Sequence, residues 1–90
     1  AAERHVTILN EKGLHVRPAT VLSQTAAKFR SRITVVTDER QVNAKSSIEL
    51  LTLAATPGTA LVIRAEGEDA EEAVEAIARL VADRFGMKED

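Results

Sequence analysis

The side chains with the most chemistry to offer stand close together in the stretch Gly13 to Ala19, GLHVRPA. His15 lies between a glycine hinge and an arginine, and Pro18 follows where an alternating apolar stretch gives way to a helical pattern. Proline is accommodated in the first turn of a helix, where its missing N–H would have had no partner, and it pushes the preceding residue away from helical geometry. The helix is therefore predicted to begin within a residue or two of Pro18, with His15 at its mouth. The N–H groups of Val16 and Arg17 then sit at the positive end of the helix dipole, where an anion is welcome. A neutral imidazole held there can accept a phosphoryl group, with the new charge met by those two amides and by the Arg17 guanidinium. Taken alone, the same short stretch would also suit an ordinary solvated loop histidine.

The surrounding elements must hold that histidine in place. Residues 4 to 9 alternate, with Val6 and Ile8 on one side and His5 and Thr7 on the other, as in a strand covered on one face. His5 is then a surface strand residue without a role. Asn10 to Gly13 reads as a polar turn. After it, Ala19, Leu22, Ala26 and Phe29 recur at helical spacing as a buried stripe, while Arg17, Thr20, Gln24 and Lys28 line the opposite face. Ile33 and Val35 mark a second strand, Asp38 and Glu39 a tight turn, and Gln41 to Ala44 a third strand paired to the second as a hairpin.

Ser46 and Glu49 have the spacing of a capping box, in which Ser46 accepts from the Glu49 N–H and Glu49 reaches back to the Ser46 N–H. In the short helix that follows, Leu50 and Leu53 can point inward together, which leaves Ile48 and Leu51 outward as a docking patch. A turn at Thr56 to Thr59 leads to a fourth strand through Leu61, Ile63 and Ala65. The last helix is predicted to open on a second capping pair, Asp69 with Glu72. Its core stripe is Ala73, Val74, Ile77, Leu80, Val81 and Phe85, and Gly86 stops it. The order βαββαβα gives an α+β domain with helices on one sheet face and water on the other. Periodicity does not reveal the order of the strands.

Composition narrows the functional classes. Ninety residues fit one domain, spanning 1–90, and a chain of this length buries only about 60–65% of its unfolded surface. Aromatic residues make up 2% of the chain, so no platform for stacking bases is available, and the formal charge of −2 gives no global attraction to nucleic acid or anionic membrane. A small ligand-binding or RNA-binding domain is disfavoured on the same grounds. The absence of cysteine removes thiolate catalysis and disulfides, two dissimilar histidines argue against a metal site, and no cofactor is indicated. No apolar run reaches 18 residues and the N-terminus lacks a signal-peptide core, so a soluble, cytoplasmic monomer without membrane insertion is expected. The chain starts at Ala1, which leaves processing or excision from a longer chain open.

GLHVRPA resembles the active-site signature of HPr, the histidine-containing phosphocarrier of the bacterial phosphoenolpyruvate-dependent sugar phosphotransferase system. AKSSIELLTLAA, from Ala44 to Ala55, is similar to the family's second signature, and GEDAEEA, from Gly67 to Ala73, to the opening of its last helix. The resemblance runs through nearly the whole chain, in order and at family spacing. It implies an open-faced β-sandwich with a four-stranded antiparallel sheet ordered 1-4-2-3 and three helices on one face. It also implies a carrier rather than an enzyme in its own right. His15 would take phosphate from phosphorylated enzyme I and pass it to enzyme IIA domains, Arg17 would neutralise the moving group, and Val16 and Arg17 amides with Pro18 would shape the site.

The same resemblance places Ser46 at a regulatory phosphorylation position served by a kinase and phosphorylase, and puts partner docking on Thr20, Gln24, Ser47, Ile48 and Leu51. An alternative in the same family is a regulatory module acting by Ser46-dependent or nitrogen-related protein contacts. Lys12 departs from the small polar residue common at its place in the active-site loop, and Ser47 and Glu49 depart from a more basic or apolar surface.

Overall fold

A computed structural model of the chain describes residues 1–38 and 40–87. The elements follow in the order β1 (Ala2–Thr7), α1 (Val16–Ala26), β2 (Arg32–Thr37), β3 (Arg40–Asn43), α2 (Ser47–Leu51), β4 (Ala60–Glu66) and α3 (Ala70–Ala82). A single 3₁₀-type turn, Arg84–Gly86, closes the described chain. The sheet is antiparallel throughout and ordered β1-β4-β2-β3. The inward row runs Val6 to Leu61 on β1 and β4, and Ile63 to Val35 to Val42 across β4, β2 and β3. Leu22 and Ala26 from α1, Leu50 from α2, and Val74, Ile77 and Val81 from α3 close over these strands, all buried. Among the described residues the other face carries no helix; there Glu3 pairs with Arg64, Nε to Oε2 2.8 Å, and His5 lies opposite Val62.

Several boundaries differ from the sequence reading for identifiable reasons. β1 lies two residues earlier than expected because Ile8 leaves the ladder: its N–H donates to Thr59 O at 3.0 Å and its carbonyl accepts from Gly58 N at 2.8 Å. α1, in contrast, begins at Val16, within two residues of Pro18 as expected, and Ala19 N–H bonds His15 O at 2.9 Å to close the first turn around the pre-proline residue. The Asp38 end of the β2–β3 turn has φ +45, whereas Glu39 lies outside the described residues. β3 spans Arg40–Asn43, with Ala44 continuing the pairing through its N–H to Ile33 O.

The two capping pairs are also rearranged. Ser46 Oγ accepts from Glu49 N–H at 3.2 Å as expected, but Glu49 Oε1 accepts from Asn43 N–H at 2.9 Å, because the Ser46 N–H is already committed to Asn43 O. Asp69 does not cap α3 through its side chain. Its carboxylate instead takes the Arg30 and Ser31 N–H groups, each at 2.9 Å, and the Ser31 hydroxyl, so it clasps the end of the α1–β2 connection. Those donors, the Ser31 hydroxyl first and the Arg30 amide next, hold its pKa below the usual carboxylate value against the opposing effect of desolvation.

α3 stops at Ala82, three residues before Phe85, which therefore joins the core from the closing turn rather than from the helix. Arg84, Phe85 and Gly86 have φ of 53°, 59° and 76°. Left-handed backbone costs about 1–2 kcal/mol for each non-glycine residue. Burial of Phe85, which is 5% exposed, offsets much of that, since covering such a side chain contributes about 1.5–3 kcal/mol.

Candidate functional site

His15 is the N-cap residue of α1, with extended backbone at φ −97 and ψ −163, and is half-buried. Its carbonyl receives the first helical bond, from Ala19. The amides of Val16 and Arg17 precede that first bond and Pro18 has none to offer, so the helix end presents two N–H groups beside the imidazole. No acidic side chain lies in the first turn of α1 to offset the positive end of the dipole. Arg17 is exposed at the second helical position and Lys12 is exposed in the loop before it. Both cationic residues thus lie within three positions of His15 in the chain. Pro18, almost wholly buried, roots the turn in the core.

The loop that carries His15 is braced from below. Leu14 is buried, and its N–H bonds Ala55 O at 2.9 Å, which joins the loop to the segment after α2. Gly13 at φ +72 makes that approach possible: a Cβ there would stand 2.2 Å from the Ala55 carbonyl oxygen. Asn10 O accepts from Gly13 N at 3.0 Å and closes the turn. Asn10 itself, read from sequence as a turn residue, is 1% exposed, and its Nδ2 donates to Arg84 O at 3.2 Å.

α2 lies alongside α1 and runs against it. Its C-terminal end approaches the His15 loop through Ala55, and the residue before its cap, Lys45, reaches Phe29 O past the end of α1 with Nζ at 2.8 Å. Ser46, half-buried, therefore stands at the end of α2 farther from His15, and Leu51 at the nearer end. Ile48 is 75% exposed and Leu51 37%, as the helical pattern predicts, while Leu50 is fully buried beneath them. Thr20 is half-buried, Gln24 is exposed and Ser47 is half-buried.

β3 grips α2 at both ends, through Glu49 to Asn43 N–H and through Arg40, whose guanidinium donates to Thr52 O and, at 2.8 Å, to Thr52 Oγ1. The Val16 side chain, 61% exposed, adds an apolar contact that the sequence reading did not assign, having used only its amide. A shallow groove of about 410 Å³ runs beside Arg17, between Val16, Thr20 and Val21 on α1 and Phe85 to Met87 of the closing turn. Among the described residues, no three His, Asp or Glu side chains gather as metal ligands, and no helix is long and apolar enough to cross a membrane.

Comparison with known proteins bears on this arrangement. Residues 2–83 match the family model described as the PTS HPr component phosphorylation site. The phosphocarrier protein HPr of Xylella fastidiosa strain Temecula1 is 42% identical over 83 residues, covering 92% of this chain and 93% of that protein. An HPr crystal structure from Thermoanaerobacter tengcongensis superposes with a TM-score of 0.93 at 41% identity, covering 98% of this chain and 99% of that one. A second crystal structure from the same organism, 43% identical with a TM-score of 0.77 and covering 91% and 94%, is described as an HPr dimer, so a monomer is not the only state found among such proteins.

Proposed function

The chain belongs to the HPr family of phosphocarriers, and from that premise we propose that His15 accepts a phosphoryl group from phosphorylated enzyme I and passes it to enzyme IIA domains. The observation that carries this reading is the placement of His15 at the N-cap of α1, directly before the Val16 and Arg17 amides and the Arg17 guanidinium. An imidazole nitrogen attacks phosphorus, the new N–P bond forms as the bond to the donor breaks, and the equatorial oxygens are met by donors already in position. Such a carrier has little covalent work of its own, and positioning with electrostatics supplies the effect. Thr20, Gln24, Ser47, Ile48 and Leu51, with the Val16 side chain, form the docking face that brings donor and acceptor proteins to the histidine.

Ser46 serves as a regulatory phosphorylation site in the same proposal. Its hydroxyl lies at a helix N-terminus, where a phosphate meets the dipole favourably, and next to the docking face rather than to the imidazole. Incubation with enzyme I and labelled phosphoenolpyruvate tests the central step. The expected product carries acid-labile label that the His15→Ala protein does not acquire, with little change in the variant's melting temperature. Label that persists in His15→Ala refutes the assignment. Acid-stable label that appears only with ATP and a kinase marks Ser46 instead.

A further inference from the structure

Asn10 does not behave like the turn residue its neighbours suggest. It is almost wholly buried, its Nδ2 donates to Arg84 O, and its Oδ1 finds no donor among the described residues. Exchanging the amide oxygen and nitrogen would set two acceptors against each other at Arg84 O, so the bond to Arg84 determines the orientation. A buried carboxamide with one half unpaired is a poor choice for stability alone, because an apolar side chain would avoid desolvating Oδ1. What Asn10 supplies instead is a fixed distance between two irregular segments 74 positions apart. On one side is the loop to His15, pinned by Gly13 N–H on Asn10 O and Leu14 N–H on Ala55 O. On the other is the left-handed turn Arg84–Gly86, which also walls the groove beside Arg17.

We propose that Asn10 is a positioning residue for His15, its buried carboxamide holding the loop against the closing turn so that the imidazole keeps its place beside the Val16 and Arg17 amides. This rests on the reading of His15 as the phosphate acceptor. Phosphorylation by enzyme I and phosphoenolpyruvate, with kcat and KM measured separately for the wild-type, Asn10→Ala and Gly86→Ala proteins, tests it. A His15→Ala sample run alongside shows whether the label sits on His15 at all, which separates failure of that reading from failure of this one.

Gly86→Ala acts from the opposite side: a Cβ there meets nothing within 4 Å, but φ +76 strains it, so the turn shifts without crowding the core even where Asn10→Ala fails to fold. In each variant that folds, kcat should fall about ten-fold to a hundred-fold, the scale of a misplaced reacting group. KM should stay within about two-fold of the wild type in Asn10→Ala, because that buried substitution leaves the exposed docking residues in place, whereas Gly86→Ala, in the wall of the groove shared with Val16 and Thr20, is read on kcat alone. Ile77→Val, a core deletion in α3, should lower the melting temperature and leave kcat unchanged. An unchanged kcat in either folded variant, or a loss in Ile77→Val as large as in Asn10→Ala, overturns the proposal.

Discussion

Replacing Gly13 with alanine should damage the site through backbone alone, and the structure gives the size of the effect. The position has φ +72, where an L-residue costs about 1–2 kcal/mol relative to glycine. The added methyl would also stand 2.2 Å from Ala55 O, well inside contact distance, so the loop must back away from the segment after α2. That movement breaks the bond from Leu14 N–H to Ala55 O, a further net loss of about 0.5–1.5 kcal/mol. The sum, about 1.5–3.5 kcal/mol, corresponds to a fall of about 6–28 °C in Tm for a domain this small. Gly58→Ala provides the control, because φ +89 strains it equally while its Cβ would face open space.

Urea unfolding of both variants isolates the Ala55 contact as the difference between them, and hydrogen exchange at Leu14 N–H reports the broken bond directly. Phosphorylation by enzyme I should slow in Gly13→Ala and not in Gly58→Ala. Equal destabilisation of the two proteins, or a Leu14 amide as protected as in the wild type, would refute the claim that close approach at Ala55 positions the His15 loop.

Arg17→Ala should keep the acceptor and slow phosphoryl transfer about ten-fold to a hundred-fold, the equivalent of a charge-assisted bond of about 1.5–3 kcal/mol; rapid-quench rates that match the wild type would mean the two amides suffice. Ser46→Asp should maintain or raise Tm, since the charge meets the N-terminus of α2. It should weaken enzyme I binding at low salt, and less at high salt where the Debye length shortens. Equal affinity at low ionic strength, or a clear loss of Tm, would leave Ser46 as a helix cap only. The lowered pKa of Asp69 sets an acid limit: its contribution is complete above the ordinary carboxylate value of 3.8 and disappears as pH falls through the depressed folded value. Urea midpoints of wild type and Asp69→Asn should therefore converge below about pH 4, and curves that stay parallel from pH 5 to pH 2 would exclude the clasp as their cause.

What could be read from the sequence was whatever a side chain reveals through its near neighbours. The alternation of Leu61, Ile63 and Ala65, and the spacing of Val74, Ile77 and Val81, report burial directly, so the elements were legible. Gly13, His15, Arg17 and Pro18 were legible too, because a helix start is a local event. Asp69 was misread because the S-x-x-E type of pattern says nothing about the Arg30 and Ser31 amides, which reach it from another connection and offer more donors than its own helix does. Glu49 failed for the same reason, with Asn43 outcompeting Ser46. Asn10 looked like a solvated turn residue since the carbonyl that buries it belongs to Arg84. Strand order follows from which ladders close over the shared core, a property of the whole chain that no window contains.

The central place of β4 in the sheet has a consequence for how the molecule comes into being. β1 and β2 share no ladder; only β4, which follows both in the chain, joins β1 to the β2–β3 hairpin. At about 5–20 residues per second, the end of β4 leaves the ribosome about 3–12 s after β1. Until then the chain holds a solitary strand and a β2–β3 hairpin, neither of which is stable alone in water. Ala55, the floor beneath Leu14, arrives just before β4, and Arg84, the anchor of Asn10, later still. His15, the proposed phosphate acceptor, is thus made well before the segments that put it in its place.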